Sequence, residues 1–289
     1  MRKRKPVTIP VNYLQKGDYK SMAITFKNLE NQNKKIISKL GNFSVLEYTR
    51  DPSVAPDNAA AYYFMSEMGV RKRQLLCALN GGKSSVVLQA GAMQWMAGNV
   101  TATTGIKSVG DLFGKMVKSA VTKETTIKPE YVGAGIVALE PTYKYIILQD
   151  VATWGAKGMT IEDGMFLACD GTVQHKIAAR KTLSSAAAGG EGLFNLSLAG
   201  EGVVALESNV PVEEAIEVTL DNDVIKIDGR YAICWSTDLE FTVERSSKTL
   251  IGSMVNKEGL VNVYRGTGKI LMSPLTQWTS SLGTTTHSK

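Results

Sequence analysis

A segment of eight residues, Gly133-Ala-Gly-Ile-Val-Ala-Leu-Glu140, returns as Gly200-Glu-Gly-Val-Val-Ala-Leu-Glu207. A third copy begins at Gly266-Thr-Gly-Lys-Ile-Leu271. A glutamate precedes each copy, at Glu124, Glu191 and Glu258, with a constant spacing of 67 residues. Self-similarity at a fixed period means one supersecondary unit used several times. It constrains architecture strongly and chemistry weakly.

The residues between the copies read as strands. Val218 and Leu220, Ile225 and Ile227, and Leu239, Phe241 and Val243 alternate with polar residues, the period of a half-buried strand. Asp221-Asn-Asp223, Asp228-Gly229 and Asn80-Gly-Gly82 are expected hairpin turns. Short strands with few helices between them predict an antiparallel β architecture. Each unit reads as a glutamate, a strand, Gly-x-Gly, an apolar strand, a hairpin, and a glycine before a second apolar strand.

The third unit runs out of chain. The segment Leu79–Met96 matches its missing half, so the units are expected at about 118–180, 184–245 and 251–275, the last completed by 75–103. That predicts a mainly β body over 71–278, three pseudo-repeated antiparallel units closed into a ring, and a flexible tail at 279–289.

Residues 1–70 stand apart as a basic, partly helical extension. Phe26–Leu40 is expected to be a weak helix and Asp57–Met68 a better one, capped by Asp57 and stopped by Gly69. Within the body, Val109, Leu112, Phe113, Met116, Val117 and Ala120 form an amphipathic stripe of about three turns.

Charge is concentrated at the start. Residues 1–40 hold ten Lys/Arg against Asp18 and Glu30, a net +8, while the whole chain is +6. The arm reads either as a solvated tail or as a contact for an anionic membrane or nucleic acid, through Arg2, Lys3, Arg4, Lys5, Lys34 and Lys35. No apolar run is long enough to span a bilayer, and no signal-peptide core follows Met1–Lys5. Cys77, Cys169 and Cys234 are too few for a disulfide framework, which points to a reducing cytoplasm.

Motifs for catalysis dissolve on inspection. Gly133-Ala-Gly-Ile-Val-Ala138 fits a dinucleotide fingerprint, yet Pro141 follows where a helix is required. Gly82-Lys-Ser84 lacks the first glycine of a phosphate loop, because position 77 is Cys. His175 and His287 are the only histidines, and no metal-ligand spacing occurs. Cys169 and Cys234 read as small core hydrophobes, and Met93, Trp95 and Met96 as core or partner patch. The chain therefore offers no catalytic set and no cofactor site. Glu124, Glu191 and Glu258 are the most pointed polar set, either converging on a cation or small ligand, or accepting backbone N–H groups in each unit.

Three ordered segments carry a resemblance: Leu75–Gly82 with Val86–Val100, Gly190–Phe194 with Gly200–Leu206, and Glu258–Asn262 with Gly266–Ile270. They resemble the bacterial counterparts of the yeast altered-inheritance-of-mitochondria protein 24, grouped with the trp RNA-binding attenuation protein as TRAP-like β-proteins. The resemblance spans about residues 71–275. It implies a pseudo-threefold β-prism, or double-stranded β-helix-like bundle. It implies no catalytic residues and no cofactor, and points to a scaffold or interaction factor with a protein partner or a homo-oligomer.

Overall fold

The computed structural model describes residue 24 and residues 26–103, 128–179, 194–228, 231–245 and 260–275. Every strand pairing among them is antiparallel, and the architecture is mainly β with one short helix.

The N-terminal part departs from expectation. Lys34–Leu40 is strand β1, not the end of a helix, and it pairs with β2, Phe43–Tyr48, across the two-residue turn Gly41-Asn42. Gly41 supplies the positive φ of +53° that the tight turn needs. The lysines favour helix locally, but Ile36 pairs with Leu46 and packs on the cluster of Leu46, Leu76 and Ala138, which decides for strand.

Helix α1, Ala59–Glu67, follows a 3₁₀ turn at Pro56–Asn58. Asp57 lies inside that turn, and neither it nor Asn58 makes a side-chain cap. The C-terminus is closed as anticipated. Gly69, at φ +78°, lets its N–H reach Ser66 O (3.1 Å) and the Val70 N–H reach Met65 O (2.8 Å).

An eight-stranded sheet contains β1 and β2 with β3 (Arg73–Leu88), β4 (Met93–Thr103), β5 (Glu130–Leu139) and β6 (Tyr145–Asp150). It also takes β8 (Phe166–Asp170) and β11 (Val203–Ser208). A seven-stranded sheet contains β7 (Met159–Ile161), β9 (Gln174–Ala179), β10 (Phe194–Ala199), β12 (Ile216–Asp228), β13 (Ala232–Ser236), β14 (Glu240–Arg245) and β15 (Leu260–Met272). The largest core cluster draws on both sheets, with Trp154, Met159, Ile161, Phe166, Leu198, Leu206 and Leu271 among its members.

Two expected hairpins are bulges within continuous strands. On β3 the register jumps from Asn80↔Ala134 to Ser85↔Val132, with Gly81 and Gly82 both at positive φ. On β12 it jumps from Leu220↔Gly268 to Asp223↔Gly266, with Asn222 at φ +51°. Turn residues mark both sites in the sequence, but a bulge and a hairpin use the same residue types.

Each bulge faces a Gly-x-Gly, which explains the repeat's glycines. A Cβ at Gly133 would run into the Asn99 carbonyl oxygen, and one at Gly135 into the Ala97 carbonyl oxygen, both on β4. A Cβ at Gly268 would lie 2.8 Å from the Ser236 Cβ, and one at Gly202 would lie 2.9 Å from the Thr172 hydroxyl. In the first copy the motif lets two strand backbones approach closely, and in the other two Gly202 and Gly268 leave room for packed side chains.

β15 pairs with β12, β13 and β14, all from the chain just before it. The segment expected to complete 251–275, residues 75–103, forms β3 and β4 instead, and both pair with β5. Sequence similarity identified equivalent segments, and equivalence does not require adjacency. The stripe Val109–Ala120, Gly229 and the tail 279–289 lie outside the described residues.

Candidate functional site

None of the residues of α1 is buried. Tyr63, Phe64 and Met68 are 58, 66 and 80% exposed. The helix is held at its C-terminal end. The Ser66 hydroxyl donates to Thr49 O (3.0 Å), and Arg71 Nε donates to Ser66 O (3.1 Å). Arg73 Nη2 and the Tyr145 hydroxyl both donate to Gly69 O, at 3.1 and 3.4 Å.

The anchor beneath is a buried charge cluster. Glu47 on β2 accepts from Arg73 Nη2 (2.8 Å) on one oxygen and from Arg71 Nη1 (3.1 Å) on the other. The Arg73 guanidinium lies 3.9 Å from the Tyr145 ring centroid. Arg73 is 3% exposed, so pairing and stacking are what make its burial tolerable.

Between α1, the end of β2 and the segment 70–72 that leads into β3 opens a cleft of about 590 Å³. Tyr48, Tyr62, Tyr63 and Tyr143 supply its aromatic walls, and Arg50, Asp51, Glu67, Arg71 and Lys72 its charges. Tyr62 and Tyr143 meet edge-to-face at 6.3 Å. Lys72 Nζ is 2.7 Å from Asp51 and 5.7 Å from the Tyr143 ring centroid. The hydrogen bond from Lys72 holds the Asp51 carboxyl below the usual range. Burial raises the phenols of Tyr48 and Tyr143, and the Tyr48 hydroxyl donates to Gln74 Oε1 (3.5 Å). Lys72 and Arg71 are already neutralised. The Arg50 guanidinium, at the rim, has no ion-pair partner among the described residues. The cleft thus presents aromatic faces and two charges without an ion pair among the described residues, the Arg50 guanidinium and the Glu67 carboxylate.

The sequence-derived candidates fall elsewhere. Glu124, Glu191, Glu258 and Arg2, Lys3, Arg4 and Lys5 lie outside the described residues. In sequence each of the three glutamates falls between two strands that pair with each other: β4 and β5, β9 and β10, and β14 and β15. Lys34 and Lys35 lie on β1, with Lys34 Nζ 5.4 Å from the Tyr48 ring centroid. His175 sits on β9 opposite Leu198, and the surrounding protein and the Lys128 ammonium lower its pKa. All three cysteines are free and buried, and burial pushes the Cys169 thiol up to about 12. Trp95 stacks on Phe26 at 5.4 Å, while Met96 is 45% exposed. Among the described residues no group of three or more His, Cys, Asp or Glu is arranged to hold a metal ion, and no helix is long and apolar enough to cross a membrane.

The family model described as mitochondrial biogenesis AIM24 matches residues 68–275. The chain belongs to this family. An uncharacterised protein of Streptococcus pyogenes serotype M6 is 31% identical over 199 residues, which cover 66% of this chain and 77% of that one. A Streptococcus pyogenes protein solved by X-ray crystallography is similar at a TM-score of 0.53 and 28% identity, over 71% of this chain and 89% of that one. The AIM24 match takes in β3 to β15. It leaves out α1 and most of the cleft, whose walls come from residues 32–67 together with Val70, Arg71, Lys72 and Tyr143. Composition gave no signal for this site. The nearest hint was the run Ala59-Ala-Ala-Tyr-Tyr-Phe-Met65, too aromatic for a solvent-facing helix without a task.

Proposed function

We propose that this protein is a non-catalytic interaction protein: a β-body of three repeated units that carries a recognition cleft at its N-terminal side. The observation that carries this reading is the cleft itself, open, tyrosine-walled, and continuous at Tyr63 with the exposed Phe64 and Met68. Tyrosine and arginine are the residues that dominate protein interfaces, because they bury much area at little entropic cost. Arg50 and Glu67, both exposed and without an ion pair among the described residues, select a group of each sign, so the ligand is a short segment of a partner protein with an acidic, a basic and an apolar side chain. Selection of displayed peptides against the full chain tests this, with Arg50→Glu as counter-target. Recovered peptides should share an acidic position and lose binding to the variant. Peptides that bind both proteins equally would contradict the reading.

Register supports the three-unit reading. In three ribbons a register shift opens the first strand, between Met93 and Trp95, Phe166 and Ala168, and Ala232 and Cys234. The next positions pair alike: Met96 with Val137, Cys169 with Val204, and Trp235 with Ile270.

A second reading, contact with an anionic membrane or nucleic acid through the arm, is favoured by Lys35, exposed on β1 within the basic first 40 residues. Binding to anionic vesicles and to RNA at two salt concentrations, with and without residues 1–40, separates it from the first.

A further inference from the structure

Two junctions join the ribbons, and they are built in one register. At the first, β3 meets β8 with Val86↔Asp170, Val87↔Cys169 and Leu88↔Ala168. At the second, β7 meets β13 with Met159↔Ser236, Thr160↔Trp235 and Ile161↔Cys234. The equivalence follows from the strand each residue faces on its other side. Val86 faces Tyr131, Met159 faces Leu198, and Ile225 of β12 faces Tyr264. Likewise Trp95 faces Ala138, Ala168 faces Ala205, and Cys234 faces Leu271.

These correspondences define a third junction. Ile225, Lys226 and Ile227 of β12 stand where Val86–Leu88 and Met159–Ile161 stand. Trp95, Met96 and Ala97 of β4 stand where Ala168–Asp170 and Cys234–Ser236 stand. The junction would therefore read Ile225↔Ala97, Lys226↔Met96 and Ile227↔Trp95. Within one chain it is not made. Among the described residues β12 pairs only with β15 and β4 only with β5, and the two lie in different sheets.

The outer edge of β4 has the character of a joining surface, whereas β12 carries Glu217, Asp221, Asp223, Lys226 and Asp228. β4 runs eleven residues without a charged side chain or a proline, and no strand among the described residues covers its outer edge. Natural sheets protect such an edge by charge, proline or a cover, and an edge without them is a template for pairing. Met96 on β4 and Val224 on β12 are each 45% exposed.

We infer that the outer edge of β12 in one copy pairs with the outer edge of β4 in a second copy of this chain, in the register of the two internal junctions. The interface is heterologous, so each copy uses one edge for each neighbour and the assembly grows to a ring or an open chain. The inference stands on strand register alone and is independent of the cleft.

Two single variants of the full chain, Met96→Cys and Lys226→Cys, test it. Mixed in equal amounts and mildly oxidised, they should give a disulfide-linked dimer of one of each, which neither forms alone. The native cysteines are buried and do not compete. Light scattering on the unmodified chain should show a mass at least twice that of one chain, rising with concentration, and Met96→Lys should return it to one chain. A constant single-chain mass would overturn the inference. So would a double variant that cross-links within itself while the mixed singles do not.

Discussion

Asn42, in the turn between β1 and β2, donates its side-chain N–H to the Asp170 carboxylate at 3.3 Å, although 128 residues separate them. The other Asp170 oxygen accepts the Val203 N–H at 2.8 Å, and Asn80 donates to Asn42 Oδ1 at 3.2 Å. One carboxylate thus ties the first hairpin, the β3 bulge and the ends of β8 and β11. Asp170→Ala leaves these donors without an acceptor and should cost about 1–3 kcal/mol, read by denaturant unfolding.

The same residue sets a pH dependence. Burial raises the Asp170 pKa against the opposing hydrogen bonds from Val203 and Asn42. A folded pKa above the unfolded one, about 3.9, means the folded state holds the proton more tightly. Stability from this group therefore falls as pH rises from the unfolded value through the folded one. Asp51 runs the other way, because its lowered pKa gives stability above the unfolded value that is lost on acidification. The Lys72–Asp51 pair is near the surface, so its share is small, about 0–1 kcal/mol. Unfolding between pH 3 and 7 should keep the first slope in Lys72→Met and lose it in Asp170→Asn.

Glu47 holds two arginines, one of them buried. Glu47→Ala should cost about 3–5 kcal/mol, because Arg73 is left charged and unpaired. Arg71→Ala should cost far less, since Arg71 is 30% exposed at its side chain and leaves Arg73 paired. Thermal melts of the two variants give the ordering.

Glycine substitutions separate conformational strain from collision. Gly82→Ala meets nothing within 4 Å but keeps a φ of +61°, and should cost about 1 kcal/mol. Gly135→Ala has no positive φ, yet its Cβ would meet the Ala97 carbonyl oxygen. It should be the more damaging of the two, by chemical denaturation, since backbone on both strands must shift.

Cysteine reactivity follows from burial. The Cys169 thiol, at about 12, and the equally buried Cys77 and Cys234 should not react with a thiol reagent in the native protein, and all three should react after denaturation. Rapid native labelling of any of them would contradict the packing described.

The antiparallel sheets were legible because alternation and Gly-x-Gly spacing are local. Gly69 ending α1 was legible for the same reason. What was not legible depended on distant partners. Asn80–Gly82 and Asp221–Asp223 carry the signature of a turn, and only the strand opposite makes each a bulge. β1 is a strand because Ile36 finds Leu46, a contact that the lysines around it conceal. The cleft was invisible because its walls come from residues 32–72 and Tyr143, and because Arg50 stands out only once Arg71 and Lys72 are seen to be paired.

The central claim is that the cleft beside α1 recognises a partner segment. A photo-cross-linking residue at Tyr63 in the full chain, expressed in its native host, tests it most directly. The account predicts one discrete cross-linked partner from position 63, none from a probe at exposed Glu213, and loss of the product when Arg50→Glu is added. Equal products from both positions, unchanged by Arg50→Glu, would contradict it.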